Sequence, residues 1–328
     1  MHGFRTLVTA MAVVAATLPA VAQPRTADID TRGLKASDFP RLAKLTDGVY
    51  TFEGIHPPNF TTVSLIVVGT NGVLVADGQG TTRETQAMLD AIATVTDKPV
   101  KWYVVGSEHG DHTAGNSVLP KDITFIVHPT SRAQMERDAA TVMGQNLKAA
   151  ADAITKGQPA PTPRPPVIVP PTAMSGDREI IDVGGMEVHV AFLGRAHTGG
   201  DLTVYLPKPR ILFMSEVYLN RVFPAMRSAY LSEWVRTIDR ALAMDIDHYV
   251  PGHGFIETPS VAREELVEFQ KALKAVIAEA TRLHRLGLSA DDAVAKADWG
   301  PYTDWYLREQ QAPIAIRKVY AELEGTLK

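Results

Sequence analysis

No cysteine occurs anywhere in the 328 residues. That excludes disulfides, thiol nucleophiles, thiolate metal sites and iron–sulfur clusters together, so any metal must be held by His, Asp or Glu. Excess charge of either sign is also missing. A formal net charge of -4 provides no broad basic field for nucleic acid or an anionic membrane surface. Long apolar runs are absent too: the stretch Leu7 to Leu18 falls short of the roughly 20 residues a spanning helix needs. With 45% hydrophobic and 21% charged residues, the chain is neither a disordered segment nor a coiled coil, and its length suits two domains or one large layered domain.

The first segment does have a pattern. Arg5 precedes that short apolar run, and Ala20 and Ala22 stand at A-x-A spacing before Gln23. This reads as a secretory signal over 1–22, cleaved near Ala22, and implies a periplasmic or secreted bacterial protein with no membrane attachment after cleavage.

Further along, Gly48 to Phe52 alternates as a strand, and Val63 to Val68 with Val73 to Ala76 forms a hairpin across Asn71-Gly72. Thr82 to Val95 carries Met88, Leu89, Ile92 and Val95 on one helical face, and Val100 to Val105 is a strand that stops at Gly106. The order recurs. Ile123 to Val127, a long helix from Ser131 to Ile154, and strands near 180–183, 187–192, 202–206 and 211–214 lead to helices at 232–243, 261–286 and 312–327. The proline-dense stretch from Pro159 to Pro171 is a surface connection. Two similar runs of strands and helices predict an α/β chain with sheet packed on sheet and helices outside.

The chemistry concentrates at strand exits. Gly106-Ser107-Glu108-His109-Gly110-Asp111-His112 places His109, Asp111 and His112 within four residues, in a loop whose glycines let neighbouring side chains converge. His197 follows another apolar strand, His253 sits in Pro251-Gly252-His253-Gly254 after a third, and Glu216 ends a fourth. Four strand ends that each offer His or carboxylate are what a metal site at one sheet edge requires. Asp77 reads as a loop-closing acceptor. His56, His128, His189, His248 and His284 read as surface or structural. Phe60, Tyr218, Phe223 and Trp234 are either core or cleft-lining.

This constellation resembles the metallo-β-lactamase superfamily, whose loop motif is HxHxDH followed by later single ligands. The resemblance runs from about Gly48 to about Gly254. It implies an αββα sandwich over 48–260, after a lead-in at 23–47 and before a helical extension at 261–328 to which no chemistry is assigned. It also implies a first metal subsite at Ser107, His109 and His197, and a second at Asp111, His112 and His253, with Glu216 where the family has a bridging Asp. Ser107 departs from the motif, because a hydroxyl is a far weaker zinc ligand than imidazole. The expectation is one dominant Zn2+ in the second subsite and a weak or vacant first one, a pattern with precedent among superfamily members lacking that histidine.

The implied activity is that of a hydrolase in which a metal-bound hydroxide attacks an activated carbonyl or other electrophilic carbon of a small molecule, such as a lactam or lactone. Asp111 orients the water, and His109 and His197 assist its proton transfer. The alternatives are hydrolytic dehalogenation of a chlorinated aromatic on the same site, and a noncatalytic zinc-binding module. Homo-oligomerisation is left open.

Overall fold

The structure, a computed structural model, describes residues 24–326; the predicted signal segment at 1–22 lies outside them. Six strands form the first sheet in chain order: β1 (Arg41–Thr46), β2 (Val49–His56), β3 (Phe60–Val68), β4 (Val73–Ala76), β5 (Val100–Val104) and β6 (Thr124–Ile126). Five more, β7 (Arg178–Asp182), β8 (Glu187–Ala191), β9 (Thr203–Leu206), β10 (Ile211–Phe213) and β11 (His248–Val250), form the second in the order β11-β10-β9-β8-β7.

Alternation along the strands decides the layering. In β3, Val63, Leu65 and Val67 enter one buried cluster while Ile66 enters another; in β4, Leu74 and Ala76 separate from Val73 and Val75 in the same way. Because successive side chains face opposite sides of a sheet, a wholly apolar strand needs cover on both faces. The cover differs on each side. Val63, Leu65, Leu74 and Val104 meet Val188, Val190, Val204 and Phe213 of the second sheet. On the outer face, Ile66, Val75 and Tyr103 meet Met88 and Ile92 of helix α1 (Thr82–Ala93) and Met135 of α3 (Pro129–Thr155). A single turn, α2 (Gly110–Thr113), lies between those helices in sequence.

The second sheet is covered likewise. Leu212 and Tyr249 pack under Trp234 and Ile238 of α4 (Leu231–Leu242) and under Leu266 and Phe269 of α5 (Pro259–Arg285). The result is the predicted αββα sandwich. Helices α6 (Ala290–Lys296) and α7 (Arg308–Leu323) join the same cluster through Ala293, Ile316 and Val319. The extension therefore shares a core with the sandwich. Among the described residues no helix is long and apolar enough to cross a membrane.

One strand lies inside the segment read as a lead-in. β1 pairs antiparallel with β2 as the sheet's edge, and its residues are half-buried or exposed. An edge strand with one wet face carries Arg41 and Lys44 among its apolar residues, which weakens the alternation that reveals a strand in sequence.

Candidate metal centre

Every residue of the centre sits where a strand ends. β5 runs through Val105 into Gly106, where an added Cβ would lie 2.7 Å from the Ser215 Cβ and 2.8 Å from Asp77 Oδ1. Only glycine lets these three loops close together there. Asp77 Oδ1 accepts the backbone N–H of Gly106 at 2.7 Å and of Ser107 at 3.3 Å, and its other oxygen accepts the Ser215 hydroxyl. Asp77 thereby ties the loop bearing the histidines to the turn bearing Glu216. Past β11, Gly252 presses equally close, since a Cβ on it would stand 2.4 Å from the Ser215 carbonyl carbon. His253 follows directly, and His197 arrives on the loop between β8 and β9.

Two groups of ligand atoms result, each with its atoms within 4.8 Å of one another: Asp111, His112, Glu216 and His253 in one, His109, His197 and Glu216 in the other. Glu216 belongs to both. Its Oε1 lies 3.2 Å from His253 Nε2, 3.2 Å from His197 Nε2 and 3.8 Å from His112 Nε2. Its Oε2 is 2.8 Å from His109 Nδ1. Asp111 Oδ2 stands 3.3 Å from His253 Nε2, and the Nε2 atoms of His112 and His253 are 3.1 Å apart.

The surroundings fix ring orientation. His253 Nδ1 donates to the Thr61 carbonyl at 2.7 Å, which leaves the lone pair of a neutral ring on Nε2, facing the cluster. Phe60 stacks on that ring with centroids 4.3 Å apart. His112 Nδ1 is 3.0 Å from Asp77 Oδ2, but not aligned for a hydrogen bond. Trp234 packs edge-on against His197 and donates its indole N–H to the Val217 carbonyl.

Electrostatics keep the carboxylates ready to ligate. Burial favours the neutral acid at Glu216, yet the His197 and His109 rings beside it hold its carboxyl well below the usual range. Asp111 is held low in the same way, with His112 and His253 outweighing burial. Burial also opposes the charged imidazoles, but Glu216 pushes His109 up to about 9, and Asp111 with Glu216 pushes His253 up to about 10. At His197 burial prevails and the pKa falls. Buried, ionised oxygens converging with imidazole nitrogens, which give up their protons to a metal, form a hard-to-borderline donor set, and that set fits a divalent cation.

The structure brings six of the sequence-predicted residues together: Asp111, His112, His253, His109, His197 and Glu216 all converge on one edge of the sandwich. Ser107 belongs to neither group and instead donates its hydroxyl to Glu216 Oε2 at 2.5 Å. The five histidines set aside, His56, His128, His189, His248 and His284, lie outside both groups. Tyr218, Phe223 and Trp234 are core, while Phe60 lines the cavity before the clusters. Arg227, Gln310, Gln311 and Ile314 line that cavity too. Nothing in the sequence singles these four out, because three of them reach the site from a helix far downstream of the histidine loop.

No protein-family model matches the chain. A metallo-beta-lactamase from Pontibacter korlensis superposes with a TM-score of 0.54 at 20% identity, over 70% of this chain and 98% of that one. The chain has the metallo-β-lactamase fold. With the stereoselective inverting sec-alkylsulfatase Pisa1 from Pseudomonas sp. the TM-score is 0.68 at 16% identity, over 88% of this chain and 51% of that one. Among curated sequences, the metallo-β-lactamase-fold chain is 25% identical over 218 residues to the 2,4-dinitroanisole O-demethylase subunit alpha of Nocardioides sp. (strain JS1661). That match covers 65% of this chain and 55% of the relative, so the chain spans about half the length of the curated relative it matches.

Proposed function

We propose that the protein is a zinc-dependent hydrolase of small molecules. The observation that carries this is the sharing of Glu216 between two ligand groups at the open edge of the sandwich. A divalent cation bound there supplies Lewis acidity, lowering the pKa of water from 15.7 towards roughly 7 and polarising an electrophile.

The chain's own residues do the rest. Asp111, His112 and His253 hold the cation, with Glu216 completing the set. Phe60 stacked on His253 and Trp234 against His197 keep bulk water from the inner side. His109 and His197, with nitrogens 3.1 Å apart, stand where a proton can pass between the site and Ser228, whose hydroxyl is 3.3 Å from His109 Nε2. Asp111, one-third exposed at the cavity floor, is placed to orient the attacking water.

The electrophile is an activated carbonyl or an electron-poor carbon. The curated relative's name, an O-demethylase of 2,4-dinitroanisole, supports extending the range from lactams and lactones to activated aromatic ethers; hydrolytic dehalogenation of a chlorinated aromatic is the same attack on an electron-poor ring carbon. Its rival is a noncatalytic zinc-binding protein, motivated by Ser107.

Metal analysis combined with a substrate panel tests this: a carbapenem, a cephalosporin, an acyl-homoserine lactone, a thioester, 2,4-dinitroanisole and a chlorinated nitrile arene. Turnover of any member that chelation abolishes and zinc restores supports the hydrolase. A zinc-loaded protein inert towards all of them favours the binding protein.

A further inference from the structure

The cavity in front of the ligand groups has a volume of about 290 Å³, at the lower end of the roughly 300–1,000 Å³ common for small-molecule sites. Its floor is the metal centre. Its walls are built by chain outside the ligand loops. Leu219 and Val222 follow Glu216 on one side, and Ile314 with Gln310 and Gln311 faces them from α7. The helical extension thus forms part of the substrate cavity, although nothing in its sequence suggested chemistry.

Apart from the metal centre's own side chains, the charged group lining this cavity is Arg227. Arginines near it are committed to partners: Arg195 to Glu233 and Arg221 to Glu265. Arg227 is exposed and has no carboxylate in ion-pair range among the described residues. It also lines a second, polar cavity of about 320 Å³, which meets the first at His109 and Arg227; Arg137 lines it as well, and of its two carboxylates Glu108 accepts from Ser131 and Thr198 and Asp138 from Gln134. An unpaired guanidinium where a cavity with an apolar wall meets a polar one is suited to binding an anion. Its planar fork can donate two parallel hydrogen bonds to an oxyanion.

Resting on the hydrolase reading of the same site, we propose that the substrate is a compact amphiphilic anion. Its apolar body lies between Leu219, Val222 and Ile314, and its carboxylate or sulfonate-like group is bound by Arg227. Binding so anchored places the bond to be cleaved over Glu216, between the two ligand groups. Arg227 is a binding residue and α7 a specificity wall.

Three probes matched in chain length test this on the zinc-loaded, full-length protein by calorimetric titration: hexanoate, hexanesulfonate and the uncharged hexanamide. Both anions are expected to bind at least about tenfold tighter than the amide. Arg227→Gln should remove about tenfold from the anions and leave the amide within about twofold; Arg227→Lys should keep part of the preference. Anion contact with the cation is common to wild type and variant, so the change in the anion-to-amide ratio isolates Arg227. Ile314→Trp, which fills the wall, should weaken all three probes with zinc content unchanged. An unchanged ratio in Arg227→Gln overturns the proposal, as does failure of all three probes to bind the wild type. A protein that shows the ratio change but hydrolyses nothing defeats the hydrolase reading and leaves the anion site standing.

Discussion

The Ser107 hydroxyl donates to Glu216 Oε2 at 2.5 Å, so the residue that replaces a motif histidine bonds to the carboxylate shared by both ligand groups. With Ser107 and His109 on Oε2, and His197 and His253 on Oε1, Glu216 is held from both sides. Its two oxygens, fixed in this way, face one ligand group each while Oε1 also reaches the other.

Replacing Ser107→His therefore exchanges a donor to Glu216 for a third imidazole beside His109 and His197. Bound zinc should rise from about one equivalent towards two. Ser107 is fully buried, so overpacking should cost about 1–3 kcal/mol of stability. Zinc analysis at saturating metal together with a melting curve checks both, and unchanged stoichiometry in a folded variant contradicts the vacant first group.

His112→Ala and His253→Ala each delete a ligand of the group that includes Asp111. Each should lose tightly bound zinc and any hydrolytic activity together, because a catalytic zinc site needs about three protein ligands plus water. Retention of a full zinc equivalent by both variants would refute the assignment.

Glu216→Gln preserves size and removes the charge common to both groups. Metal affinity should fall on the order of 100-fold or more, a loss at the upper end of what supporting residues around metal sites show. A competition titration against a chelator reads it. An affinity within a factor of a few of wild type would mean that Glu216 does not ligate.

Asp201 supplies the pH dependence. Burial pushes its carboxyl up to about 8, with Glu108 adding to the shift. The hydrogen count agrees, since the Thr198 hydroxyl has one hydrogen and stands 3.0 Å from Glu108 Oε2 and 2.7 Å from Asp201 Oδ1. A protonated Asp201 donates to Thr198, which then donates to Glu108. Between the unfolded value of about 3.9 and the folded value of about 8, the folded chain keeps a proton that the unfolded chain has released. Stability therefore falls as pH rises through that window, by at most about 1.4 kcal/mol per pH unit from this group. Asp201→Asn mimics the protonated form and should flatten that decline. Melting temperatures of wild type and variant from about pH 5 to 9 that run parallel would refute it.

Gly252→Ala tests the packing beneath the centre. The added methyl meets the Ser215 backbone at 2.4 Å, and backbone cannot step aside as a flexible side chain can. The melting temperature should drop, and zinc affinity with it, since both Glu216 and His253 flank that contact. A wild-type melting curve for the variant would show the loops to be looser than the structure has them.

Much of this was legible in sequence because it is local. The stretch from Val63 to Ala76 is so continuously apolar on either side of its Asn71-Gly72 turn that a hairpin buried on both faces follows from side-chain geometry alone. His109, Asp111 and His112 stand close whatever the rest of the chain does. β1 was not legible, since an edge strand needs no clean apolar face. Nor was the partner of Ser107, because a bond spanning 109 positions depends on how two sheets stack.

The sequence by itself determined the periodicities of the strands and helices, the reliance on imidazole and carboxylate imposed by the lack of thiols, and the exit of each ligand residue from a strand. Only the tertiary structure decided that Glu216 serves two groups, that Arg227 stands unpaired between two cavities, and that α7 walls the site. Backbone periodicity and residue chemistry act over a few positions, whereas convergence is set by sheet order and by which faces must be covered. That long-range packing leaves no local signature in the chain.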